Sequence, residues 1–168
     1  LLRAGDAFAQ KFKGDDVPVR IGYLAITDAT PFFVAHSRKM FEAEGLQTEK
    51  PRLFRSWAQL IEAFIAGQVN VVHLLSPTTL SVRYGSKFGA KVVAWNHMSG
   101  SAITVAPHIN SVADLAGTTF AIPFWYSIHN VVVQQLFRDN GLTPVARATG
   151  SAIAANEVNL IVLPPSDM

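Results

Sequence analysis

Short apolar runs with strand character alternate along this chain with segments whose apolar residues recur at helical spacing. Residues 17–24 form a β-rich run, and Thr30-Pro31 then opens a helix as an N-cap followed by an N1 proline. That helix is predicted to continue to Glu44, with Gly45 as its stop. Residues 46–54 read as a second strand. Ser56 caps the next helix, in which Leu60, Ile61, Phe64 and Ile65 are spaced for one face and Gly67 ends the run. Residues 69–75 are almost continuously apolar, as a parallel strand covered on both faces requires, and Ser76-Pro77-Thr78 begins another helix.

The pattern predicts two further strands at residues 90–95 and 101–106, flanking a turn at residues 96–100. Ser111 to Gly117 reads as a short capped helix, followed by a strand at residues 118–122. Residues 123–130 lead into a helix that carries Val131, Val132, Leu136 and Phe137 on an apolar face and stops near Asn140-Gly141. A last strand covers residues 157–163, and Pro164-Pro165-Ser166 prepares one more helix. Strands and helices that alternate over short links imply an α/β fold with mainly parallel sheets flanked by helices. Such sheets bind ligands beyond the C-terminal ends of their strands. The loops at residues 25–30, 75–78 and 123–130 occupy that position, each ahead of a helix whose free N–H groups and dipole favour an anion. Ordinary helix capping uses the same residues.

Composition narrows the function. With 49% apolar and 15% charged residues, the 168-residue chain is globular, and its apolar runs fall far short of the ~20 residues that span a bilayer. A membrane-spanning role is not expected. The 14 basic and 12 acidic residues are spread without a basic run, so nucleic acid is not an expected partner. There is no cysteine, hence no disulfide and no thiolate metal site. Ala7-Phe8-Ala9 has the small-x-small form of a signal cleavage site, but no apolar stretch precedes it, so for an exported chain the signal is expected to have been removed or to lie upstream of Leu1.

Several motifs together resemble those of a known family. They are Gly22-Tyr23-Leu24-Ala25-Ile26-Thr27-Asp28-Ala29-Thr30-Pro31, then Phe41-Glu42-Ala43-Glu44-Gly45-Leu46, Ser56-Trp57 and Leu75-Ser76-Pro77. Val112 to Gly117 and Pro123 through Ser127-Ile128-His129-Asn130 complete the set, in the family's order. From about Val17 to Met168 the sequence resembles the nitrate-, bicarbonate- and sulfonate-type substrate-binding proteins of ABC importers. The resemblance implies a two-lobed periplasmic-binding-protein type II fold, similar also to thiamine-pyrimidine-synthase-like domains. It implies an N-terminal extension at residues 1–16, lobe one at residues 17–110, and the beginning of lobe two at residues 111–168. On this reading the second lobe is incomplete at Met168.

The same resemblance implies a periplasmic or otherwise extracytoplasmic receptor that captures a small anion and delivers it to a membrane permease, without a cofactor. Its ligand-binding candidates are Thr27, Asp28, Trp57, Ser76, Ser101, Tyr126, Ser127 and His129. The Trp57 indole donates only, and the His129 ring donates from either nitrogen, so both suit an oxyanion. Ser101 stands where the nitrate-type pattern carries glutamine, which shortens the side chain and disfavours nitrate itself. Phe124, Trp125 and Tyr126 fit either stacking on an organic ligand or packing at a hinge.

No catalytic pattern competes with binding: Gly-x-Ser-x-Gly, His-Glu-x-x-His and Gly-x-x-x-x-Gly-Lys are all missing, so an enzyme is not expected. His36, His73, His97 and His108 form no i, i+4 pair, so a metal site would need convergence in the folded chain. A thiamine-pyrimidine-synthase-like enzyme is disfavoured because that family uses a cysteine-rich motif. A ligand-sensing effector domain of a transcription regulator shares the architecture, but the residues before Val17 are too few for a helix-turn-helix.

Overall fold

The computed structural model describes residues 17–98 and 100–168. Residues 1–16, expected to form an N-terminal extension and carrying the Ala7-Phe8-Ala9 motif, lie outside the described residues, as does Ser99. Strands β1 (Ile21–Leu24), β2 (Arg52–Phe54) and β3 (Val71–Val72) form a parallel 3-stranded sheet in the order β2-β1-β3. Central β1 is the most buried of these strands, and Gly22 is the reason the helix at Trp57–Ile65 can approach it. A Cβ at Gly22 would lie 2.6 Å from Leu60 Cδ1 and 3.1 Å from the Phe54 ring. Around this contact Leu24, Phe54, Trp57, Leu60, Ala63 and Val69 make one core cluster.

The expected helix at residues 30–44 is instead two pieces, α1 (Thr30–Ser37) and α2 (Met40–Ala43). They are separated at Lys39, whose φ of 54° is left-handed and cannot continue an α-helix. A 3-10 turn at Thr27–Ala29 precedes α1, so Ala29 rather than Thr30 is the N-cap. Thr30 Oγ1 donates back to the Thr27 carbonyl at 2.6 Å. Gly45 does end α2: its φ is 78° and the Leu46 N–H reaches the Phe41 carbonyl at 2.9 Å.

Helix α3 (Trp57–Ile65) starts as the pattern predicts, with Ser56 Oγ accepting the Gln59 N–H at 3.2 Å. Short α4 (Ser76–Leu80) runs into a π-helical turn at Ser81–Gly85. The strands predicted at residues 46–54 and 69–75 shrink to β2 and β3, with one isolated parallel bridge between Val19 and Thr48. Residues 90–95 and 101–106 form no strand among the described residues, because no neighbouring chain pairs with them. Val93 is accordingly 87% exposed.

A capping box joins Ser111 and Asp114 at the 3-10 turn Val112–Leu115 and leads into the second sheet. That sheet is also parallel: β4 (Thr119–Ile122), β5 (Thr143–Val145) and β6 (Glu157–Val162) in the order β4-β6-β5. The pattern does not predict β5, since Pro144 argues against a strand; it fits because β5 is the edge of the sheet. Between β4 and β5 lies α5 (Ile128–Asp139), whose buried residues are Asn130, Val133 and Phe137. The expected apolar face is therefore turned: Val131 and Val132 are exposed and Leu136 is half-buried. Val133 and Phe137 pack with Leu115, Ile122, Leu142, Val158 and Leu160 in a second core cluster. Pro165–Asp167 form a 3-10 turn.

Phe124, in the loop after β4, packs against the first core cluster, and Thr78 Oγ1 of α4 donates to the Tyr126 carbonyl at 2.7 Å. These contacts join the two sheets. No described helix is long and apolar enough to cross a membrane.

Candidate functional site

The loops that follow the strands of both sheets face one cleft of about 1000 Å³. Ile26 and Asp28 follow β1, Trp57 follows β2, Leu75 follows β3, Pro123 and His129 follow β4, and Leu163 follows β6. These loops stand where parallel sheets bind ligands, and the cleft extends from them along the whole of β4, from Thr119 to Ile122. Most of the wall is apolar, including Ile103, Val105, Ile109, Phe120 and Val132. Among the described residues its carboxylate side chains are Asp28 and Asp167, and neither Lys nor Arg lines it.

Two polar groups in this wall lack partners. Trp57 is only 2% exposed, yet its indole Nε1 has no acceptor, and His129 Nδ1 is likewise buried without a hydrogen bond. Leaving such a group unsatisfied costs about 1–3 kcal/mol, so each is a standing demand for a partner. The local sequence explains their placement. Ser56 caps α3 and puts Trp57 on its first turn, while Ser127 Oγ accepts the Asn130 N–H at 3.1 Å and puts His129 on the first turn of α5.

Of the residues singled out from sequence, Asp28, Trp57, Ser101 and His129 line the cleft. Thr27, Ser76, Tyr126 and Ser127 do not. Thr27 and Ser76 are exposed at helix starts, and fully buried Ser127 has its hydroxyl committed to the cap of α5. The Tyr126 ring is exposed and lies 5.8 Å, centroid to centroid, from the Phe124 ring. The aromatic run Phe124-Trp125-Tyr126 stays outside the cleft wall, with Phe124 packed into the first core.

The fold also brings together residues that sequence spacing left scattered. Asp28, His73 and His97 each present a ligand-type atom, and these atoms lie within 4.8 Å of one another. His97 Nε2 is 3.2 Å from Asp28 Oδ2. The Asn96 amide donates to the Asp28 carbonyl and sits 3.4 Å from His73 Nε2. His73 is partly buried between the rings of Phe32 and Trp57, at centroid distances of 6.0 and 6.2 Å, and its Nδ1 has no partner. Burial holds the His73 imidazole below its ordinary pKa, with His97 adding to that effect and Asp28 opposing it. A local signal for this cluster exists only for Asp28; the histidines reach it through tertiary structure.

Comparison with curated proteins returned no match. Among solved structures, the fold is similar to the ligand-binding component of an ABC-type import system from Staphylococcus aureus, solved with zinc bound. The two are 19% identical with a TM-score of 0.54, and the alignment covers 89% of this chain and 48% of the other. This chain thus spans about half the length of that protein. The likeness establishes the α/β fold of such binding components. Residues 13–168 match the model of the NMT1-like family, and the chain belongs to that family.

Proposed function

We propose that the chain supplies the solute-binding part of an ABC-type importer, capturing a small organic acid in the cleft between its two sheets. The observation that carries this reading is the pair of unpartnered buried nitrogens, Trp57 Nε1, a donor, and His129 Nδ1, which donates in the tautomer protonated there, in the wall of a cleft reached by the loops after the strands of both sheets. An acceptor-rich group satisfies both. The apolar remainder of a cleft of about 1000 Å³ fits an organic body better than a bare nitrate or bicarbonate ion. Alkyl sulfonates and aromatic carboxylates meet both requirements.

Such a protein acts by binding alone. Ligand contacts from both sheets favour a closed form, which a membrane permease reads on the extracytoplasmic side. The family, and the import system to which the structural relative belongs, support this role.

The test is a thermal-shift screen against nitrate, bicarbonate, alkyl sulfonates and aromatic carboxylates, followed by calorimetry with whichever stabilises the protein. Trp57→Phe keeps one aromatic ring in the site while removing the indole N–H together with the second ring, and His129→Phe keeps an aromatic ring without either nitrogen; melting curves of both variants separate lost binding from lost packing. Each is expected to weaken binding by about 1–3 kcal/mol. Unchanged affinity in both variants overturns the pocket, and the absence of any stabilising acid overturns the ligand class.

A further inference from the structure

We infer that Asp28, His73 and His97 form a binding site for a divalent transition-metal ion of the zinc type. One carboxylate and two imidazoles are a ligand set suited to such an ion, which takes four ligands and leaves one position open when the protein supplies three. Bonds of about 2.1 Å in a tetrahedral arrangement set ligand atoms roughly 3.4 Å apart. The Asp28–His97 pair already stands at 3.2 Å, and the remaining separations, within 4.8 Å, close by side-chain rotation. His73 is held by the surrounding Phe32 and Trp57 rings, which fix one ligand while the exposed His97 supplies the adjustable one. Asn96, beside both Asp28 and His73, braces the cluster.

The site has a consequence for the adjoining cleft. Asp28 is shared between the cluster and the cleft wall, whose other carboxylate side chain among the described residues is Asp167. A dication at Asp28, with neutral imidazoles, turns a local charge of −1 into +1 and removes the repulsion that this carboxylate imposes on an acid ligand. The metal site itself does not depend on the receptor reading, because it is assayed without any solute.

The experiment uses the full chain after chelator treatment and dialysis. Calorimetry with Zn²⁺ alone is expected to show one saturable equivalent, and Co²⁺ in its place to give the visible absorption of a tetrahedral nitrogen- and oxygen-ligated ion. Asp28→Asn, His73→Ala and His97→Ala are each expected to weaken Zn²⁺ binding by at least tenfold, since even outer-shell partners cost about 10–100-fold. His36→Ala, on α1 and not a member of the cluster, leaves it unchanged. Because His97 is half-exposed, His97→Ala keeps the fold intact, and far-ultraviolet circular dichroism verifies this. No one-to-one binding by the unmodified chain, or binding undiminished in His97→Ala, overturns the proposal.

Discussion

Glu157 gathers more hydrogen bonds than any sequence pattern announces. Arg147 grips it with both arms of its fork, Nη2 to Oε1 at 2.5 Å and Nε to Oε2 at 3.2 Å, and the Ala154 N–H donates to Oε2 at 3.0 Å. The Arg147 bonds, and after them the Ala154 N–H, hold the carboxyl below its ordinary value of 4.5. A depressed carboxylate adds stability above the unfolded pKa and loses it as pH falls through the folded one. Glu157→Gln is therefore expected to melt below the unmodified chain at about pH 6, the gap shrinking below about pH 4.5 and closing once the folded-state carboxyl protonates. Melting curves recorded by circular dichroism across that range check it, and a gap independent of pH contradicts it. Sequence alone points to Trp57 and His129 through the resemblance of the motifs that hold them, which is a local signal. It does not show that Ser127 is consumed by its cap, nor that His73 and His97 converge on Asp28, since both facts depend on where distant segments end up in space.

At the scale of elements, Gly22 sets how closely α3 lies on β1. Gly22→Ala drives a methyl into Leu60, which is fully buried, and presses on Phe54 and Val69. Overpacking of this kind costs about 1–3 kcal/mol. Urea unfolding is expected to show that loss for Gly22→Ala, with recovery when Leu60→Val is added to make room; equal stability of Gly22→Ala and the unmodified chain contradicts it. The same dependence on neighbours explains which elements were legible. Helix starts at Ser56, Ser111 and Ser127 were, because a cap is a bond between residues three apart. Strands at residues 90–95 and 101–106 were not, because apolar alternation gives propensity whereas a strand needs a ladder partner. β5 was missed for the converse reason: β6 supplies a partner, and an edge position tolerates Pro144. The break at Lys39 carries no glycine to mark it.

Across the whole molecule, the cleft exists only if the two sheets keep their mutual placement, and contacts from the loop after β4 help secure it. Phe124 packs against the first core, and Thr78, itself 1% exposed, donates its hydroxyl to the Tyr126 carbonyl just ahead of the cap of α5. That bond ties α4, after β3, to the loop that positions His129. Thr78→Val preserves shape and removes the donor, leaving a partly buried carbonyl without its partner. The expected loss is about 1 kcal/mol, the net worth of such a bond, with Thr78→Ser recovering most of it. A purely steric role predicts the reverse order, Val tolerated and Ser damaging, so urea midpoints of the two variants decide between bond and packing. If the bond also fixes the cleft, Thr78→Val weakens binding of any acid that stabilises the unmodified chain, because contacts from Trp57 and His129 then have to be aligned at the ligand's expense.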